Sequence, residues 1–432
     1  MWNNRIFKNV SWIVGCKIAQ SGLSFIVTML TARFLGPSNY GLVSYAASLT
    51  AFVTPIAQLG LGNIQVQELV NNEKNEGENI GTTLILNILS AALCVVGIIS
   101  FSFAMNNTEV ETILVCALYS IILFFQGAEL LQYWFQTKYI SKYYAVTSLV
   151  AFAIVTAYRV VLLINRCNIY YFAVANAIDY IIITFTLLFI YCKLGGQKLK
   201  FSVVVARKLL RKSKYYIVSD MMVAIFSQTD RIMLKMLINE AATGIYSAAM
   251  ACGSIANFVY SAIISSFRPT IFSDYKISEK QFNVRMQQLY SIVIYLSLTV
   301  CLSITIFAKP IIYVVYGSEY GEAVLPLQVC VWYSIFSYLG VVRNIWVLAK
   351  DKQKYLWIIN FSGAIGNIAL NYILIPICGV MGAAIASLFT QFLSNIIVSA
   401  IIPEIRPSIS LMIHGLNPMC CLSIIKKSEE KK

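Results

Sequence analysis

Apolar stretches long enough to cross a bilayer recur along the whole chain, and within them apolar residues are continuous rather than alternating with polar ones. A bilayer core about 30 Å thick is crossed by roughly 20 apolar helical residues. The pattern therefore predicts spans near 10–34, 40–62, 80–104, 113–136, 144–164, 169–191, 214–237, 243–266, 287–308, 322–348, 355–376 and 380–402. Continuity without a period of two indicates helices and not a membrane barrel. Short turns divide several neighbours, among them Gly36-Pro37-Ser38-Asn39 and Pro376-Ile377-Cys378-Gly379. The first run lacks a small-residue cleavage site after a short core, so it is expected to be a retained span. The expected fold is an all-α integral membrane protein of about 12 transmembrane helices.

Composition agrees and removes the soluble alternatives. Charged residues make up 12% of the chain and AVILMFWYC residues 59%, with a mean hydropathy of +0.73. That charge content is about half the usual quarter. The net charge of +14 would suit nucleic acid, but its placement points to a membrane. With the N-terminus in the cytoplasm, outside connections hold only Arg33, Arg166 and Lys309, while most of the 33 Lys and Arg fall inside. This asymmetry predicts a cytoplasmic N-terminus and C-terminus and no nucleic-acid partner. Residues 68–79 dissent, with Glu68, Glu73, Glu76 and Glu78 against Lys74. The longest inside connection sets Phe201, Val204, Val205, Leu209 and Leu210 among basic residues, as an interfacial amphipathic helix would.

The two halves echo each other weakly. Leu35-Gly36-Pro37-Ser38-Asn39-Tyr40-Gly41-Leu42-Val43-Ser44 parallels Ile238-Asn239-Glu240-Ala241-Ala242-Thr243-Gly244-Ile245-Tyr246-Ser247. Leu163 to Asn168 parallels Leu374 to Gly379. Six spans separate the members of each pair, so the halves are expected to be two pseudo-symmetric six-helix bundles around a central cavity, a common transporter design. The expected organisation is an N-terminal bundle at 1–192, a cytoplasmic basic linker at 193–213, a C-terminal bundle at 214–402 and a cytoplasmic tail at 403–432.

Catalytic chemistry has little to work with. A single histidine, His414, argues against His-based metal sites and Ser/His or Cys/His catalysis, and the 11 cysteines form no CxxC pair. Most cysteines lie in apolar runs and read as small buried hydrophobes. No nucleotide-binding GxxxxGK[ST] loop is present. The expectation is a protein that is not an enzyme and uses neither cofactor nor metal.

Nine ionisable residues fall inside the spans: Lys17, Glu129, Arg159, Asp179, Asp220, Asp230, Arg231, Lys235 and Arg343. Facing lipid, they would together cost on the order of 20–30 kcal/mol, more than the roughly 5–15 kcal/mol by which a fold is stable. Most must therefore face water, one another or the membrane surface. Lys235, Asp220 and Arg343 lie near span ends, where snorkelling is the bland explanation, and Lys235 is expected to snorkel. Polar residues also form stripes at helical spacing: Lys17, Gln20, Ser21, Ser24, Thr28 and Thr31; Ser247, Ser254, Asn257 and Ser261; Asn360, Asn367 and Asn371; Ser387, Gln391 and Ser394. Such stripes serve either as packing seams or as walls of a hydrated cavity. Cations without a carboxylate within a helical turn, Lys17 and Arg159, suit an anionic cargo such as a phosphate or pyrophosphate.

Three motifs carry a family resemblance. They are Thr31-Ala32-Arg33-Phe34-Leu35-Gly36-Pro37-Ser38-Asn39-Tyr40-Gly41; Asp230-Arg231-Ile232-Met233-Leu234 followed by Gly244-Ile245-Tyr246-Ser247-Ala248-Ala249; and Asn371-Tyr372-Ile373-Leu374-Ile375-Pro376 with Gly379, Gly382-Ala383-Ala384 and Ala386. In order and spacing, over residues 5 to 402, the chain resembles the bacterial polysaccharide flippases, the Wzx-type branch of the multidrug/oligosaccharidyl-lipid/polysaccharide exporter superfamily. The resemblance implies a flippase of the bacterial inner membrane. It would move undecaprenyl-pyrophosphate-linked oligosaccharide repeat units, of O-antigen, capsule or similar, by alternating access, driven by an H+ or Na+ gradient. Its partners would be membrane lipids, the lipid-linked oligosaccharide and polysaccharide polymerase machinery. Carried onto this sequence, Lys17, Arg33, Arg159 and Arg231 would contact the anionic head group. Asp230 would orient Arg231 or couple to a cation, and Asp179 and Glu129 would serve ion coupling. Two alternatives stand beside it. A drug/cation antiporter of the same superfamily tends to carry a carboxylate in the first helix, where this chain has Lys17. A membrane polysaccharide polymerase tends to carry a long outside loop, and every outside loop here is short.

Overall fold

The computed structural model describes residues 2–106 and 109–418, with side chains from Gln20 onward except those of Ser21 and Asn63. Helices dominate, and no strand occurs among the described residues. In chain order they are α1 (Trp2–Ala57), α2 (Gly62–Asn71), α3 (Glu76–Met105), α4 (Val110–Ser120), α5 (Ile122–Gln126), α6 (Gln132–Thr137), α7 (Lys142–Ile164), α8 (Ile169–Lys193) and α9 (Val203–Leu237). There follow α10 (Glu240–Gly253), α11 (Asn257–Ile277), α12 (Glu279–Val315), α13 (Val324–Ala349), α14 (Leu356–Cys378), α15 (Val380–Phe392), α16 (Ser399–Ile401) and α17 (Arg406–His414). The all-α membrane architecture is as expected.

The count of twelve spans is not confirmed. Among the described residues, nine helices are long and apolar enough to cross a bilayer, or ten if α10 and α11, bent by 44°, form one span. The difference has identifiable causes. The first two expected spans are the arms of α1, which breaks at Gly36 (φ 71°, ψ 171°). Pro37 opens the second arm, where its fixed φ and missing N–H are tolerated. The seventh expected span is the second part of α9, whose Asp220, Asp230, Arg231 and Lys235 make it too polar to qualify. Residues 203–213 of the basic connection are its first turns, not a separate helix.

The chain forms two compact units, Met1–Gly244 and Ile245–Lys432. In the first, α1 packs along α9, α3, α4 and α7. Tyr45, Ala46 and Leu49 of α1 meet Ala91, Cys94 and Ile98 of α3, Val115 and Cys116 of α4, and Ala173 and Ala177 of α8. Small residues at these positions let helices approach closely where apolar surface alone supplies little drive in a lipid solvent. The closest approach is backbone on backbone. A Cβ at Gly41 would lie 1.8 Å from the carbonyl oxygen of Glu240, and one at Gly244 would lie 2.0 Å from that of Pro37. The echoed turns of the sequence thus meet at a pair of glycines.

Ion pairs gather at the start of α3 and just beyond its end. At its start, Glu76 pairs with Lys138 at 3.0 Å. Nearby, the carboxylate of Glu68 on α2, 2% exposed, takes Lys208 at 2.6 Å and also Lys212, both from α9. Burial alone would push the Glu68 carboxyl up, but the two ammonium groups outweigh it and hold it below the usual range. Two of the four acids that dissented from the positive-inside pattern are thus neutralised by lysines of the same end. Beyond the other end of α3, Lys235 joins Glu109 at 2.6 Å and Glu240 at 3.0 Å. These groups line a cavity of about 240 Å³ with Met105, Asn106 and Asn239. Lys235 is therefore buried in a carboxylate pair and does not snorkel.

In the second unit, the main contacts join α12 to α13, and α15 to both α13 and α14. Phe282, Met286, Leu289 and Val293 pack against Val342, Ile345 and Trp346, with Ile405, Ile409 and Met412 closing the cluster. The segment 403–418 includes α17, which rests on α12, and the Tyr290 and Ser408 hydroxyls lie 2.7 Å apart across that contact. Residues 419–432 of the expected tail lie outside the described residues. Cys94, Cys116, Cys252, Cys301 and Cys330 are buried free thiols, whereas Cys192 and Cys378 are exposed.

Candidate functional site

Three of the seven residues singled out from sequence come together in the first unit. Arg159 sits on α7, Asp179 on α8, and Glu129 on the single 3-10 turn, Gly127–Leu131, that links α5 to α6. Asp179 lies within electrostatic reach of both Arg159 and Glu129. Two hydrogen-bonded chains hold the cluster. Arg159 Nη2 donates to Asn176 Oδ1, and Asn176 Nδ2 donates to the Tyr119 hydroxyl at 2.8 Å. Separately, the Tyr144 hydroxyl donates to Glu129 Oε1 at 2.7 Å. Thr184, one turn beyond Tyr180 on α8, donates to the carbonyl of Phe125 at 3.2 Å and fixes α8 against α5.

The arrangement leaves one cation and one acid incompletely matched. The guanidinium of Arg159 is half-buried and bonded to a neutral amide, and it forms no ion pair among the described residues. Oδ1 of Asp179 is buried and receives no hydrogen bond there. A guanidinium presents five donors in a planar fork, so an amide that takes one leaves others for a bidentate oxyanion. A buried carboxyl oxygen without a donor is a position where a proton or cation finds an acceptor.

The other four candidates are not brought to this cluster by any recorded contact. Arg33 is exposed next to the Gly36 break. Asp230 is 5% exposed, whereas Arg231 is half-buried, with Nη1 3.4 Å from Gln228 Oε1. The side chain of Lys17 lies outside the described residues.

Sequence alone missed the neutral partners Asn176, Tyr119 and Tyr144. Asn176 stands three residues before Asp179, on the same helical face, and that spacing was the available signal. It also missed the neutral partners of a buried cation in the second unit. Arg343, near a span end where snorkelling is the bland explanation, is 2% exposed. Its Nη1 donates to Asn395 Oδ1 at 3.2 Å and to Ser399 Oγ at 2.7 Å, and its Nη2 donates to Asn344 Oδ1 at 2.9 Å. Asn395 lies in a π-helical turn, Leu393–Val398, between α15 and α16, and Ser399 follows directly. A π turn widens the helix by one residue, which here aims both acceptors at Arg343. Gly340 leaves the space, since a Cβ there would meet Asn395 Oδ1 at 2.3 Å.

The expected polar stripes divide. Asn367, Asn371, Ser387, Gln391 and Ser394 are buried within the second unit, and the Tyr246 and Ser387 hydroxyls lie 3.1 Å apart. These are packing seams. Ser254, Asn257 and Ser261 are exposed.

The described residues form an all-helical, multi-pass membrane fold with charged groups held inside its first unit. The fold is similar to the lipid II flippase MurJ in its inward closed conformation, with a TM-score of 0.73, 13% identity, and 94% of this chain and 90% of that one covered. It is also similar to the inward-facing conformation of a multidrug resistance MATE family transporter of the MOP superfamily, with a TM-score of 0.69, 12% identity, and coverage of 91% and 95%. Residues 6–274 match the family described as polysaccharide biosynthesis protein, and the chain belongs to that family. Over 406 residues it is 20% identical to the capsular polysaccharide biosynthesis protein CapF of Staphylococcus aureus, covering 90% of this chain and 97% of that one. The resemblance seen in the three sequence motifs is borne out in family and in fold.

Proposed function

We propose that the protein is a flippase that carries undecaprenyl-pyrophosphate-linked oligosaccharide repeat units across the bacterial inner membrane by alternating access. The observation that carries this proposal is Arg159, a guanidinium inside an apolar bundle whose hydrogen bond goes to the neutral Asn176. A cation so placed is stabilised further by an anion that enters the site, and a pyrophosphate offers oxygens in the bidentate geometry the fork matches. Membership of the polysaccharide biosynthesis family supports a polysaccharide precursor as cargo. Likeness of fold to a lipid II flippase supports a lipid-linked one. Inward-facing and outward-facing MATE structures both resemble this fold, which supports alternating access. Asp179, with its unpartnered oxygen beside Arg159 and Glu129, is the proposed coupling group for H+ or Na+. Lys17, Arg33 and Arg231 are further proposed head-group contacts, and Asp230 a proposed orienting group. Oligosaccharide assembly by a polymerase partner would follow on the far side.

The test uses inverted membrane vesicles holding the full chain at matched expression and a labelled lipid-linked oligosaccharide. Arg159→Ala removes a charge-assisted contact worth about 1.5–3 kcal/mol, so uptake falls roughly ten- to a hundredfold. Arg159→Lys, which keeps the charge without the fork, falls between. Asp179→Asn abolishes the response to an imposed ion gradient. Full uptake by Arg159→Ala overturns the head-group assignment. Deletion strains that accumulate unpolymerised units outside the cell would point to a polymerase instead.

A further inference from the structure

The first turns of α9 carry a surface that lies outside the candidate site described above. Burial fixes which way the helix faces: Ala206, Leu209 and Ser213 are buried, so the opposite side is presented outward. On that side Val203 is 62% exposed, Val204 80% and Val218 59%. Arg207 and Arg211 stand among them, one turn apart, both exposed and without an ion pair among the described residues. Lys208 and Lys212, on the flank, are already taken by Glu68. Together Val203, Val204, Arg207, Lys208, Arg211 and Lys212 line a hollow of about 780 Å³.

Cations alone would suit any acidic partner, and exposed valines alone would suit any apolar one. The two interleaved on one helical face match a molecule with an anionic head and hydrocarbon directly beneath it. We propose that this face binds an anionic phospholipid of the adjoining leaflet, with Arg207 and Arg211 forking its phosphate and Val203, Val204 and Val218 seated against its acyl chains. The lipid is a resident of the bilayer rather than the cargo, and its binding is independent of the proposed transport function. It would fix the depth of α9 in the membrane.

The test is lipid retention by the purified full chain in detergent, read by native mass spectrometry after titration with phosphatidylglycerol or with phosphatidylcholine of the same acyl chains. The expected result is selective retention of phosphatidylglycerol, weakened roughly tenfold or more in Arg207→Gln/Arg211→Gln. Lys276→Gln/Lys280→Gln, which removes two exposed cations elsewhere, retains it as the unaltered chain does. Equal retention of both lipids by the unaltered chain overturns the proposal, as does equal loss in the two double variants. Displacement of phosphatidylglycerol by an equimolar isoprenoid pyrophosphate would reassign the face to the cargo. Unchanged retention in Arg207→Gln/Arg211→Gln together with lost surface polysaccharide in cells would assign it to a protein partner. Either outcome overturns the lipid assignment.

Discussion

Glu68 and its two lysines give an asymmetry that a melting experiment can measure. The carboxylate is 2% exposed, whereas each lysine is 45% exposed. Removing the acid leaves two ammonium groups that water can reach, so Glu68→Gln loses only charge-assisted bonds to half-solvated partners, about 1–2 kcal/mol. Removing the cations is different. Lys208→Gln/Lys212→Gln leaves a buried carboxylate with the Asn72 amide, at 3.1 Å, as its remaining side-chain donor. Breaking a buried pair in that direction costs about 3–5 kcal/mol. The triple variant carries no charge at the site and should recover part of that loss. In a chain of this size 1 kcal/mol moves Tm by roughly 2 °C. The double variant should therefore melt about 6–10 °C lower in detergent, and Glu68→Gln about 2–4 °C lower. Because the folded carboxyl is held below its usual value, its stabilisation is fully present above the unfolded value of about 4.3 and is lost as pH falls through the depressed folded value. The gap between the unaltered chain and Glu68→Gln should hold from pH 7 to 5 and close only below that. A double variant that melts no lower than Glu68→Gln, or a triple variant that melts below the double, would refute the reasoning.

Two further outcomes test the packing. Gly41→Ala and Gly244→Ala each place a methyl about 2 Å from a backbone oxygen that cannot swing aside. Each should cost about 3 kcal/mol in stability, seen as a lower Tm and folded yield, while Gly22→Ala, with nothing within 4 Å, should not. In the second unit, Asn395→Ala takes one acceptor from the buried Arg343 and should cost about 2 kcal/mol. Arg343→Met/Asn395→Ala should be closer to the unaltered chain than Asn395→Ala alone, and strictly additive losses would show that the two do not interact.

Much of the architecture was legible because lipid imposes one rule on the whole chain. Where every backbone group must bond within its own segment, apolar length translates directly into helix. Counting was harder at Gly36, where two spans meet without a loop, and in α9, where charges mask a continuous helix. For the site, sequence singled out Arg159, Asp179 and Glu129 because each ion is conspicuous in an apolar run. Their neutral partners were not conspicuous. Asn176 and Tyr119 are separated by 57 residues and meet only when α4 packs on α8. The setting of Arg343 was hidden for the same reason, since Asn395 and Ser399 lie more than 50 residues away and depend on a π turn that periodicity does not reveal.

The clasp of Glu68 on two successive turns of α9 also sets an azimuth. A helix cannot satisfy one fixed acid through Lys208 and Lys212 at more than one angle about its own axis. α9 continues without interruption to Leu237, so that angle is inherited by everything along its roughly 50 Å of length. Slipping the clasp by one residue would rotate the whole rod by 100°. Arg207 and Arg211 would swing with it, and Asp230 and Arg231, roughly five turns beyond Lys212, would swing by the same angle. A salt bridge at the start of α9 thus acts as the compass by which its far end is oriented.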